Sequence, residues 1–261
     1  MYEHLGTGAL DYAPCRYGTS KLLFRGPKQP TNGKYCTVLG GVEVYGRFIE
    51  VPFTEVLQRR LNMPVLNLGC VNAGLDAFLK DEAVLDLARN SVLPVIQTLG
   101  AQNMSNMYYT VHPRRNDRFV RANDALKVLL PRVDFTEFNF TRHMLRGIRK
   151  ASREAFDVVV AQVRRDWVAG MRDLGERLDG RALLLHVGVD KKLRSTYGPM
   201  GPDPLFVTGE MLASVRDCFA DLLVVKLDAE AVRPSRRGKV YSRLEEHVAM
   251  QFPGPRVHEV I

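Results

Sequence analysis

The chain has 261 residues, 46% hydrophobic and 25% charged, the usage of an ordinary globular protein. No run reaches the roughly 18 apolar residues of a membrane helix, and no repeat or low-complexity tract appears, which argues against membrane spans, solenoids and disordered linkers. Thirty-seven Lys and Arg against 29 Asp and Glu leave a formal charge of +8, a balance that favours anionic partners without choosing among them.

The opening residues, MYEHLGTGALDYAPCRYGTS, carry no basic stretch followed by an apolar core, so no secretory signal is expected. Cys15, Cys36, Cys70 and Cys218 stand far apart, with neither a CxxC pair nor a histidine at zinc spacing. They read as reduced thiols of a cytoplasmic protein, and no metal or cofactor is expected.

Five short apolar runs predict strands over 35–40, 65–68, 93–99, 182–187 and 221–227. They are continuous rather than alternating, the pattern of strands buried on both faces of a parallel sheet. Helical spacing falls between them, over 52–61, 81–90, 209–219 and 242–250. The longest run covers 152–178, where Phe156, Val159, Val160, Val163, Trp167, Met171, Leu174 and Leu178 repeat at three and four residues behind a Ser152 N-cap. Strands alternating with helices predict a three-layer α/β/α sandwich, and five strands fit the flavodoxin-like order 2-1-3-4-5. A single domain over 1–261 is expected, with 1–34 as an N-terminal extension. About 80 residues separate strands three and four, far more than one crossover needs. The surplus, 101–150, is expected to be a helical insertion forming a wall or lid where ligands bind such sheets.

Three glycine- and asparagine-bearing segments should converge at that carboxyl edge: Gly40-Gly41-Val42-Glu43, Asn67-Leu68-Gly69-Cys70-Val71-Asn72-Ala73-Gly74 and Gly100-Ala101-Gln102-Asn103. Strand-end glycines allow close backbone approach and expose N–H groups, and asparagine amides can donate to an oxyanion. With the stretches CRYGTSKLLFRGP, GAQNMSNMYYTVHPRRNDRF, VDFTEFNFTRH and FPGPRVHEV, they make the chain resemble the SGNH (GDSL-like) hydrolase superfamily, and more closely a bacterial SGNH-like family of unassigned activity. The resemblance implies an esterase or acyl-transfer site comprising the Val42 position, oxyanion donors near Gly69 and Asn103, and His247 or His258 as base. Val42 stands where the superfamily has its serine and cannot attack a carbonyl. Neither histidine has an aspartate three residues before it. Two readings follow: a degenerate site that binds an anionic metabolite or glycan, or an active SGNH-type esterase or acyltransferase with a relocated nucleophile, for which Cys70 and Ser105 are the candidates.

Gly41, Asn72 and Gly74 are expected to contact the ligand, and the insertion adds an arginine-rich stretch. His112, Arg114, Arg115, Arg118 and Arg121, followed by Arg142, His143 and Arg146, would suit phosphate, sulfate or carboxylate through the planar guanidinium fork. The alternative is that they pair with Asp117, Asp124, Asp134 and Glu137 in a structural ion network. Nucleic acid is the weaker partner, since the basic loop 233–239 comes with no recognised binding motif. His186 with Asp190 reads either as a carboxyl-edge pair or as a satisfied core histidine.

Overall fold

In the computed structural model, which describes residues 7–261, all five predicted strands form one parallel sheet. They are β1 (Cys36–Gly40), β2 (Val65–Gly69), β3 (Pro94–Gln97), β6 (Leu183–Val189) and β7 (Asp221–Leu227), in the order β2-β1-β3-β6-β7. Counted within the sheet this is 2-1-3-4-5, with the order reversing between β1 and β3. Alternate residues of each strand feed two cores. Val38, Val65, Val95, Leu185 and Val187 pack on one face with Phe53, while Leu39, Leu66, Leu68, Ile96 and Leu184 join the larger core on the other.

Helices cover both faces. α1 (Val42–Tyr45) and α2 (Phe53–Leu61) follow β1, and α3 (Leu75–Leu79) and α4 (Glu82–Asn90) follow β2. Asp81 caps α4 by accepting from the Val84 N–H, as an aspartate before an apolar run should. The 25-residue helix α7 (Arg153–Arg177) starts on the expected Ser152 cap, which accepts from the Ala155 N–H at 3.1 Å. Its Trp167 is fully buried and donates to the Leu99 carbonyl at 2.8 Å, tying the helix to the end of β3. α8 (Gly209–Val215) precedes β7, and α9 (Ala229–Val232), α10 (Glu246–Ala249) and α11 (Pro255–Val260) follow it. β7 departs from the expected burial on both faces. It is the sheet's edge, and Leu223 and Val224 stay nearly half exposed.

The insertion is not purely helical. It opens with an antiparallel hairpin, β4 (Tyr109–His112) and β5 (Arg115–Ala122), before α5 (Asp124–Leu129) and α6 (Thr141–Ala151). Tyr109 and Val111 of β4 alternate inward, whereas in β5 the buried Asn116, Phe119 and Ala122 and the exposed Arg115, Arg118 and Arg121 are each spaced by three, with register shifts in the pairing. Within the expected N-terminal extension, Tyr17, Leu22 and Phe24 are buried in the main core; residues 1–6 lie outside the described residues. Arg25, also buried, donates to the carbonyls of Tyr45, Gly46, Ile49 and Glu50 and fixes this segment over the loop after α1. No helix among the described residues is long and apolar enough to cross a membrane.

Candidate functional site

A cleft of about 730 Å³ opens at the carboxyl edge, where Gly41, Val42, Gln97, Thr98 and Gly100 come from the ends of β1 and β3. The insertion supplies a wall through Gln102, Asn103, Asp117, Thr141, Arg142, His143 and Arg146, and the C-terminal segment closes the other side through Arg233, Phe252 and Val257. The floor is a fixed polar chain. Gly41 N–H donates to Gln97 Oε1 at 2.9 Å, and Gln97 Nε2 donates to Glu43 Oε2 at 2.8 Å. Burial pushes the Glu43 carboxyl above the usual carboxylate range, only partly opposed by the Gln97 bond. Asp117 is also raised by burial, against the pull of Arg118 and Arg115, and its Oδ1 is buried with no hydrogen-bond partner among the described residues.

Of the residues expected at the site, Gly41, Val42, Asn72, Asn103, Arg142 and His143 line this cleft. Asn103 Oδ1 accepts from Thr141 Oγ1 at 2.8 Å, which orients the amide and leaves Nδ2 as the donor. Arg142 pairs with Asp203 at 2.6 Å, whereas Arg146 and Arg233 make no ion pair among the described residues.

Other expected residues serve packing instead. Gly69 does not present its N–H to the cleft: that group donates to Asn67 Oδ1, and a Cβ at Gly69 would meet the Tyr45 nitrogen at 2.3 Å. Gly74 N–H is taken by Asn116 Oδ1 at 2.7 Å, and a Cβ there would lie 1.8 Å from the Asn103 carbonyl oxygen. Both glycines are there because two backbones meet, not because a ligand does.

Neither C-terminal histidine reaches the cleft. His247 is exposed and touches Gln251, which itself lines the cleft. On α11 it is Val257 that faces the cleft; His258 turns inward, stacks on Phe53 and accepts its N–H at Nδ1. Burial first, and then Arg25, lower the His258 pKa to about 4. His186 is likewise a core histidine, bonded to Thr98 Oγ1 at 2.9 Å and lowered by burial to about 4, while Asp190 caps the following turn.

The relocated-nucleophile candidates fare no better. Cys70 is buried and its thiol is pushed up to about 12 by that burial, the opposite of an activated cysteine. Ser105 Oγ accepts from the Val111 N–H within the insertion, and neither residue lines the cleft.

His112, Arg114, Arg115 and Arg118 stand elsewhere. They line a second cavity, a groove of about 910 Å³ between the hairpin and the N-terminal segment, together with Arg16, Lys21 and Arg47. Of the alternative ion network, no pair at salt-bridge distance involves these arginines among the described residues, although Arg118 and Arg115 act on Asp117 through their charge. Asp124 pairs with Lys127 and Asp134 caps its own turn, so neither neutralises the groove arginines. In the basic loop 233–239, Arg236 pairs with Glu246, and Lys239 donates to the Ala249 and Phe252 carbonyls.

A family model described as a domain of unknown function (DUF6473) matches residues 1–261. The chain belongs to this family. A comparison with curated proteins finds no match. The DUF6473 domain thus presents two cavities whose shared wall is the hairpin strand β5: Asp117 lines the cleft and its neighbour Arg118 the groove. Several lining residues of this DUF6473 chain escaped sequence reasoning. Gln97 carried a usable signal, being a polar amide in an otherwise apolar strand, whereas Glu43 was marked only by its place in the Gly40–Glu43 segment and Asp117 only as a pairing partner of the arginines. Among its described residues, no three His, Cys, Asp or Glu side chains gather as a metal site.

Proposed function

We propose that the cleft is a hydrolase-type site of SGNH descent that has lost nucleophilic chemistry and now binds a small anionic metabolite or glycan. The observation that carries this reading is Val42, an aliphatic side chain at the end of β1 facing a cleft equipped for recognition. Of the two aliphatic hydroxyls on the cleft, Thr141 is held by Asn103, and Thr98 is bonded to His186, whose pKa burial lowers to about 4 and which is therefore a weak base for activating that hydroxyl. Recognition groups are plentiful: the Asn103 amide, the guanidinium groups of Arg146 and Arg233, and a Glu43 carboxyl that burial makes easier to protonate. A volume of about 730 Å³ suits a small molecule rather than a polymer.

The test is a fluorophosphonate probe read by intact mass on wild type and Val42→Ser, paired with thermal shift against hexuronates and sugar phosphates. Wild type is expected to remain unlabelled while at least one anionic sugar stabilises it, and Arg146→Gln should remove that stabilisation. A ligand at one hundred times its Kd contributes about 2.7 kcal/mol, a shift well within reach of the assay. A labelled wild-type residue would mean a working nucleophile and would overturn the reading.

A further inference from the structure

The second cavity has a charge pattern that folding alone does not account for. Arg16, Lys21, Arg47, Arg114, Arg115 and Arg118 converge on it, and none of them makes an ion pair among the described residues. The carboxylate on its lining, Glu245, is committed to a capping box, with Oε2 accepting from Ser242 N–H and Oγ. Six like charges in one concavity repel one another and concentrate the field, so the arrangement favours a bound anion.

The guanidinium groups are held without being neutralised. Arg47 stacks on Phe48 and Phe252, 4.8 Å from each ring centroid, and Arg118 on Phe140 at 4.5 Å. Stacking fixes the planar fork yet leaves its N–H edge free to donate. His112 is fixed as well. Its Nδ1 accepts the N–H groups of Arg114 and Arg115 at 3.2 Å, so the neutral ring carries its proton on Nε2 and is a donor.

We propose that this groove is a binding site for a small multiply phosphorylated anion, a di- or triphosphate. The charge count matches, because each phosphate brings between one and two negative charges and oxygens suited to bidentate arginine. Single-stranded nucleic acid fits less well: it needs free aromatic faces, and Tyr12 is already occupied by Tyr45 and Arg25. Half-exposed Leu23 and Val120 on the same lining give an apolar seat for the organic part of such a ligand. The inference is independent of the cleft's reading, since the two cavities use different residues.

Calorimetric titration of the full chain with inorganic tripolyphosphate, pyrophosphate, orthophosphate and sulfate at matched ionic strength tests it. Saturable binding is expected, tightening with the charge of the phosphate chain. Arg114→Gln with Arg115→Gln should weaken tripolyphosphate about tenfold or more, and so should Arg118→Lys, which keeps the charge and loses the fork. All three residues are exposed, so circular dichroism should match wild type, and Arg16→Gln with Lys21→Gln provides a second, separate pair. Arg60→Gln, exposed on α2 and on the lining of neither cavity, should leave the titration unchanged. The proposal is overturned by a flat titration, by unchanged affinity in the arginine variants, or by single-stranded RNA or phosphatidylserine vesicles binding these arginines more tightly than tripolyphosphate does.

Discussion

Asn116 is the polar pin on which both cavities depend, and replacing it should be among the most damaging single changes in the chain. Its side chain is fully buried. Oδ1 accepts from Gly74 N–H at 2.7 Å and Ala77 N–H at 3.1 Å, and Nδ2 donates to the His112 carbonyl at 3.0 Å. It therefore caps α3, whose own N-cap is a glycine without a side chain, and ties the hairpin to the sheet edge. Asn116→Ala removes the partner of the Gly74 N–H and the Nδ2 donor to the His112 carbonyl, while Ala77 N–H keeps only its 3.2 Å bond to the Gly74 carbonyl. At about 1–3 kcal/mol for each of these two groups, with partial relief from water entering the space, the loss is about 3 kcal/mol. Asn116→Asp keeps the acceptor but puts a carboxylate in a fully buried site against the His112 carbonyl, so at neutral pH it is expected to cost at least as much as alanine.

Urea unfolding followed by Trp167 fluorescence measures this directly, because that residue is the protein's only tryptophan and is fully buried. An alanine variant within about 0.5 kcal/mol of wild type would refute the capping argument, since that is the range of a surface change. An aspartate variant clearly more stable than alanine at neutral pH would refute the account of a fully buried site.

Two pH effects follow from the buried groups. His258 and His186 have folded pKa values lowered to about 4, mainly by burial, against about 6.5 in the unfolded chain. Above 6.5 both states are neutral; as pH falls from 6.5 to 4 the unfolded chain binds the proton first, so stability drops by up to about 3 kcal/mol per imidazole. His258→Leu should flatten that decline in urea titrations between pH 7 and 4.5, and an unchanged slope would show that the ring does not carry it. Glu43 shifts the other way: its raised carboxyl gives a contribution fully present below the unfolded pKa and lost as pH rises through the folded one. Glu43→Gln, which retains an acceptor for Gln97, should be more stable than wild type at pH 8 and level with it at pH 4; a variant less stable at pH 8 would contradict this.

The sheet was legible because burial on both faces writes itself as unbroken apolar runs, and the topological order then follows from few alternatives. α7 was legible for a related reason, a sustained three-and-four spacing behind a serine cap. The hairpin β4–β5 was less so. Tyr109 and Val111 alternate with polar residues in β4, but the buried Asn116, Phe119 and Ala122 of β5 are spaced by three, a bulge between Thr110 and His112 breaks the register, and no Asn-Gly or Asp-Gly marks the turn.

Sequence reading brought the glycine and asparagine segments to the carboxyl edge without saying which of their residues turn toward the cleft, and the reason is rotational. Proximity along the chain does not say which side of an element a residue takes. Val257 and His258 are neighbours on α11, yet one faces the cleft and the other the core; Asp117 and Arg118 are neighbours on β5, yet they line different cavities. Glycine carries the same ambiguity, since a residue chosen to expose an N–H and one chosen to admit a neighbouring backbone look alike in sequence. Gly41 lines the cleft, whereas Gly74 is pressed against Asn103. The arginine cluster was recognisable as a concentration of positive charge, but only the packing of the hairpin against the N-terminal segment divides it from the cleft. That division is why the two proposals, one resting on Val42 and Arg146 and the other on Arg114, Arg115 and Arg118, can fail separately.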